Sequence, residues 1–139
     1  MLIRTATPDD LPALTYLDPL LVKAPGRLAE VAHALIDQQV FVALVGGEVA
    51  GYLILTHTFF GNGFVALLVV DPAHRRAGIG SALMRQARAL CRTPKLFTST
   101  NASNAPMQAL LDRLGFRHCG TIDALDVGDP EWVYVDIGG

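Results

Sequence analysis

Apolar residues recur along this chain at strand and helix periods in a definite order. Leu2–Ala6 alternates weakly and predicts a first strand. Pro8, Asp9 and Asp10 follow as a first helical turn, where acids suit the positive end of the helix dipole. Leu11, Leu14 and Leu17, then Leu20 and Leu21, predict one short helix interrupted at Pro19. Pro25 opens a second helix, with Leu28, Val31, Ala32, Leu35 and Ile36 on its apolar stripe. Val40–Val45 and Val49–His57 are β-rich runs joined by Gly46-Gly47-Glu48, a hairpin signal. Gly61-Asn62-Gly63 marks another turn before Phe64–Val70, an unbroken apolar run that predicts a central strand buried on both faces.

The second half continues the alternation. Ile79, Leu83, Ala87 and Leu90 form the stripe of a helix from about Gly80 to Cys91. Leu96–Thr100 is a short strand. Asn104 caps a helix with Pro106 in its first turn and Met107, Leu110, Leu111 and Leu114 on its apolar face, and Gly115 stops it. Phe116–Ile122 and Trp132–Ile137 close the chain as two strands around the loop Asp123–Glu131. The order β-α-α-β-β-β-α-β-α-β-β predicts an α/β or α+β fold built on a mixed sheet, with helices inserted between strands.

Composition narrows the class. A chain of 139 residues with 51% hydrophobic and 17% charged content is expected to form one domain over 1–139 with a real core. No apolar run approaches the roughly 20 residues of a membrane helix. The N-terminus lacks the charged-then-apolar layout of a signal peptide, so a soluble cytoplasmic protein is expected. Cys91 and Cys119 fit neither a metal spacing nor a disulfide framework and read as small buried hydrophobes; no metal site is expected. The net charge of −2 conceals a segregation. Residues 1–71 carry seven acids and three bases, 72–111 carry six bases and no acid, and 112–139 carry six acids and two bases. The near-neutral total excludes a generally basic nucleic-acid binder but leaves room for a local anion site.

That site is best sought in Val70-Asp71-Pro72-Ala73-His74-Arg75-Arg76-Ala77-Gly78-Ile79-Gly80-Ser81. A strand ends, a loop turns at Asp71-Pro72, and two glycines lead into a helix. Glycines here let backbone N–H groups converge on a ligand, and a helix N-terminus adds unpaired donors and a positive dipole end. Arg75 and Arg76 add formal charge. The combination suits a phosphate, most naturally a pyrophosphate. A P-loop is excluded because no Lys lies between Lys23 and Lys95. A dinucleotide fingerprint is excluded because the first Gly comes eight residues after Val70 and no acid follows to hold a ribose.

These residues carry a family resemblance. Arg75-Arg76-Ala77-Gly78-Ile79-Gly80 matches the coenzyme A signature of the GNAT superfamily of N-acetyltransferases: Arg or Gln, two residues, Gly, one residue, then Gly or Ala. Asn104, followed after nine residues by Leu114-Gly115-Phe116, resembles the family's next motif. The resemblance covers essentially the whole chain. It implies a mixed, mostly antiparallel sheet of about seven strands flanked by about four helices, GNAT-like, in a single domain. It further implies that backbone N–H groups of Arg76, Ala77, Gly78, Ile79, Gly80 and Ser81 bind the pyrophosphate of acetyl-CoA. The strand edge at Leu68, Val69 and Val70 would pair with pantetheine amides. Asn104 would contact the pantetheine or acetyl arm, and Arg75, Arg76 or another Arg of the basic stretch the 3′-phosphate.

The implied activity is transfer of acetyl from coenzyme A to an amine, a small molecule or a protein amino group. Two usual catalytic groups of the family are absent: its Tyr position is Leu111 and its Glu position is Ser99. His57 is a candidate base, and Tyr52 and Tyr134 are candidate proton donors, each also readable as packing. Cys119 has no evident reason for the depressed pKa a nucleophile needs. Direct transfer, with water carrying the protons, requires no named side chain. Asp123, Asp126, Asp129 and Glu131 would attract a cationic acceptor, or else form a solvated loop. No nucleic-acid or membrane partner is expected, and the chain is expected as monomer or homodimer. The alternative is an acyl-CoA-binding sensor or interaction module with little or no catalysis.

Overall fold

The computed structural model describes residues 1–138; Gly139, the last residue of the expected domain, lies outside the described residues. In chain order the elements are β1 (Leu2–Thr5), α1 (Leu11–Leu17), α2 (Leu20–Lys23), α3 (Pro25–Ile36), β2 (Val40–Val45), β3 (Glu48–Phe59) and β4 (Asn62–Val70). They continue with α4 (Ile79–Leu90), β5 (Leu96–Asn101), α5 (Ala105–Arg113), β6 (Arg117–Ile122) and β7 (Glu131–Asp136). Short 3₁₀ turns at Pro8–Asp10 and Pro72–His74 precede α1 and α4. The seven strands form one sheet in the order β1-β2-β3-β4-β5-β7-β6. β4 and β5 run parallel, while β1–β2, β2–β3, β5–β7 and β6–β7 are antiparallel. No helix of the described residues is long and apolar enough to cross a membrane.

Five helices replace the expected four, because the first predicted helix is two. Pro19 disfavours helical backbone at the residue before it, and Asp18 is extended (φ −118°, ψ 97°), ending α1. Contacts gather in two units, Met1–Leu55 with Leu67–Ala89, and Thr56–Ala66 with Leu90 onward.

In the first unit the bend at Asp18 has a function in the core. The Tyr52 hydroxyl donates to the Asp18 carboxylate at 2.6 Å, Arg27 lies 3.1 Å from the same oxygen, and the Leu20 N–H donates to the other. A carboxylate only 3% exposed is thereby fully partnered, as burial of a charge requires. Successive residues of a strand face opposite sides. Tyr52 faces Asp18, whereas Gly51 faces Ile79 and Leu83 of α4. In α3 the buried residues are Val31, Ala34 and Leu35, and Ile36 is exposed, so the apolar stripe is narrower than its sequence suggests.

In the second unit the β4–β5 register runs from Gly63↔Leu96 to Val65↔Thr98 and ends there. Thr98 Oγ1 donates to the Val65 carbonyl at 3.0 Å, and the Phe59 ring stacks on Phe64 and packs at a tilt against Phe97. The turn before β4 falls on Phe60 and Gly61, both at positive φ, and Gly63 lies within the strand. A Cβ at Gly63 would collide with the Cys91 sulfur.

Two expectations are corrected. β4 is not buried on both faces: Ala66 to Val70 are each half-exposed. Cys119 is exposed, because β6 is an edge strand whose six residues are all exposed, and Cys91, directly after α4, is only half-buried.

Candidate functional site

The end of β4 is pinned before the loop begins. The Asp71 N–H donates to the Ala50 carbonyl at 2.8 Å, and the Asp71 carboxylate accepts from the Ala73 N–H at 3.0 Å. The other Asp71 oxygen lies 3.3 Å from His74 Nδ1. This cap closes the 3₁₀ turn Pro72–His74 and directs the chain into Arg75, which is extended. Arg76 (φ +66°) and Gly78 (φ +79°) are then both left-handed. A Cβ built at Gly78 meets nothing within 4 Å, so glycine is favoured there by its backbone angle and the space in front is open.

The Gly78 carbonyl accepts from the Ala82 N–H at 3.0 Å, which makes Gly78 the N-cap of α4. Glycine carries no capping oxygen, and among the described residues no side chain accepts from the N–H groups of Ile79, Gly80 or Ser81. Arg75 and Arg76 are exposed, with no ion pair among the described residues. Such N–H groups at a positive helix end, in open space beside two exposed guanidiniums, fit a phosphate ligand. A cleft of about 540 Å³ in the same unit is lined by Asp10, Glu48 and Asp71 besides Arg4 and Tyr16. Its three carboxylates suit a phosphate less well than the α4 terminus does.

The remaining candidates separate by their partners. Leu68, Val69 and Val70 form the half-exposed end of β4, where a ligand can approach the main chain. Asn104, in the other unit, is the cap of α5: its Oδ1 accepts from the Met107 N–H at 3.2 Å. Its amide nitrogen has no partner among the described residues. His57 Nε2 accepts from the Arg92 N–H at 3.0 Å, and burial and the Arg92 charge hold its pKa below the usual histidine value. The neutral ring is therefore favoured, and its one acceptor lone pair, on Nε2, is already engaged.

Tyr134 is buried on β7 opposite Thr98, its ring 5.5 Å from that of His118. Burial and the nearby Asp112 raise its pKa, so it keeps its proton. Tyr52 is tied to Asp18 and likewise stays protonated, burial being the main cause. Leu111 is wholly buried, as an apolar helix face requires, and Ser99 is half-buried opposite Val133.

The acidic loop is largely engaged. Asp126 accepts from Asn101 Nδ2 at 2.9 Å, and Asp129 accepts from the Ser103 N–H and hydroxyl at 3.0 and 2.6 Å. Asp123 and Glu131 have no side-chain hydrogen bond among the described residues.

The family model for GNAT acetyltransferases matches residues 11–116, spanning the cradle loop and α5. The chain belongs to the GNAT acetyltransferase family. Among GNAT relatives, streptothricin acetyltransferase of Streptomyces lavendulae is 32% identical over 97 residues, covering 66% of this chain and 51% of that protein. The chain thus spans about half the length of this curated relative. A GNAT acetyltransferase from Bacillus cereus superposes with a TM-score of 0.91 at 28% identity, over 99% of this chain and 97% of that one. Nourseothricin acetyltransferase superposes with a TM-score of 0.65 at 28% identity, over 69% of this chain and 62% of its own.

Sequence reasoning missed two features that border this loop and helix. The Asp71 cap was legible in principle, as Asp before Pro favours such a turn. Gly51, facing α4 from β3, gave no signal that distinguishes it from any strand glycine.

Proposed function

We propose that this chain is an acetyl-CoA-dependent N-acetyltransferase acting on an amine by direct transfer. The observation that supports it most is the Gly78 turn: three helix N–H groups and two arginines that have no partner among the described residues, beside open space. On this reading Arg76 to Ser81 hold the pyrophosphate, and the main chain of Leu68 to Val70 pairs with pantetheine. Asn104 caps α5 through its oxygen and offers its amide nitrogen to the pantetheine or acetyl arm. A β4 N–H near Val69 or Val70 stabilises the oxyanion as the amine nitrogen bonds to the thioester carbon. The carbon–sulfur bond then breaks, water takes the proton from nitrogen, and water protonates the thiolate. His57 and Tyr134 take no required step. Asp123 and Glu131 are the carboxylates left to attract a cationic acceptor.

A second reading, an acyl-CoA-binding module with little catalysis, is favoured by the wholly buried Leu111 at the family's Tyr position. Calorimetry with acetyl-CoA tests what both share; no binding at millimolar ligand overturns both. Free-thiol release with a panel of amines then decides between them. Turnover above the background hydrolysis of acetyl-CoA supports the transferase, and none with any amine supports the module.

A further inference from the structure

Gly51 lies on the face of β3 that α4 covers. A Cβ built there stands 3.0 Å from the Val69 carbonyl oxygen, 3.0 Å from Ile79 Cγ2 and 3.3 Å from Leu83 Cδ1. All three neighbours belong to the coenzyme-facing elements. Val69 is on the half-exposed end of β4, Ile79 is the first residue of α4, and Leu83 lies one turn further along the same face. Ile79 and Leu83 are 2% and 0% exposed, so neither has free space to retreat into.

We propose that Gly51 is a positioning residue for the coenzyme: its missing side chain sets the spacing between the β4 edge and the N-terminus of α4. This rests on the coenzyme reading above. The physical basis is that the two walls of the cradle come from different elements, and their approach is limited by whatever stands between them. At most strand positions a methyl group is accommodated by flexible side-chain ends. At Gly51 it meets a main-chain carbonyl whose own residue borders the ligand, and a β-branched residue at the helix start. Either wall must shift by a few tenths of an ångström to make room. The N–H groups of Ile79, Gly80 and Ser81 would then no longer converge on one phosphate. Gly51 touches no ligand itself; it acts through Val69 and Ile79.

Titration of coenzyme A into the wild type, Gly51→Ala, Gly51→Ala/Ile79→Leu and Tyr52→Phe tests this. Gly51→Ala is expected to weaken coenzyme A by about tenfold and to raise the KM for acetyl-CoA in step. Leucine lacks the γ2 methyl, so Ile79→Leu is expected to recover part of that loss. Tyr52→Phe removes the buried bond to Asp18, and is expected to lower Tm while leaving coenzyme affinity unchanged. Affinity of Gly51→Ala within about twofold of wild type overturns the proposal, as does an equal loss in Tyr52→Phe. No recovery with Ile79→Leu also overturns it. Where Gly51→Ala does not fold, Ile79→Ala withdraws the same contact from the helix side; wild-type affinity there overturns the proposal. A wild type that binds no coenzyme A brings down the coenzyme reading first, and this inference with it.

Discussion

The turn from β4 into α4 and the turn from β6 into β7 resemble each other in sequence, since each is dominated by one sign of charge. In the structure they differ in what the charges do. Arg75 and Arg76 make no ion pair among the described residues, and the N–H groups that follow Gly78 are accepted by no side chain. In the β6–β7 turn, Asp126 and Asp129 are held by Asn101 and Ser103, and the Pro130 carbonyl accepts from the Ala102 N–H at 2.8 Å. The charges of the first turn stay open to solvent, while Asp126 and Asp129 of the second are engaged by neighbouring residues. A charged stretch serves recognition only where the fold has left it without partners.

The largest effect should come from Gly78→Asp. Aspartate tolerates a left-handed backbone better than most residues, and the space is open, so the fold is retained at a cost of about 1 kcal/mol. Its carboxylate then stands where phosphate should bind. Coenzyme A affinity is expected to fall at least about 100-fold, read by calorimetry, with only a small drop in Tm. An unchanged dissociation constant would place the anion site elsewhere and erase the contrast between the turns.

Asp129→Ala probes the other turn and should act in the opposite sense. It removes both hydrogen bonds to Ser103, with an expected loss of about 1–2 kcal/mol in urea unfolding. Coenzyme affinity should not change. Should stability hold while the KM for an amine rises, Asp129 is a ligand group and the two turns are alike after all.

The sequence was informative wherever the signal is local. The strand–loop–helix around Gly78, the Asn104 cap and the Gly46-Gly47 hairpin all appear where spacing placed them, because turns and caps are decided within a few residues. What was not legible depends on contacts between distant segments. Nothing near Asp126 or Asp129 announces Asn101 and Ser103. Nothing in Phe64–Val70 reveals that the β5 register ends at Val65 and leaves the rest of β4 half-exposed. Cys119 reads as buried until β6 is known to be the sheet's edge. The break at Asp18 was half-legible: Pro19 marks it, but the inward turn onto Tyr52 needs the partner strand.

The smallest effect divides the basic stretch itself. Arg92 belongs to the same acid-free segment as Arg75 and Arg76, yet its N–H is engaged by His57 Nε2. Burial first, then the Arg92 charge, depresses the His57 pKa below its ordinary 6.5, so folding favours the neutral ring. The unfolded chain therefore binds this proton more readily than the folded one. The contribution is fully present above pH 6.5 and is lost as pH falls through that value toward the folded pKa. His57→Gln should lower the urea midpoint at pH 8, and the gap to wild type should narrow by pH 5. A gap that is the same at both pH values would show that His57 binds its proton as readily folded as unfolded, and so does not depend on accepting from the Arg92 N–H. Arg92 would then hold no neutral imidazole, and the segment's main chain would be as open there as at Gly78.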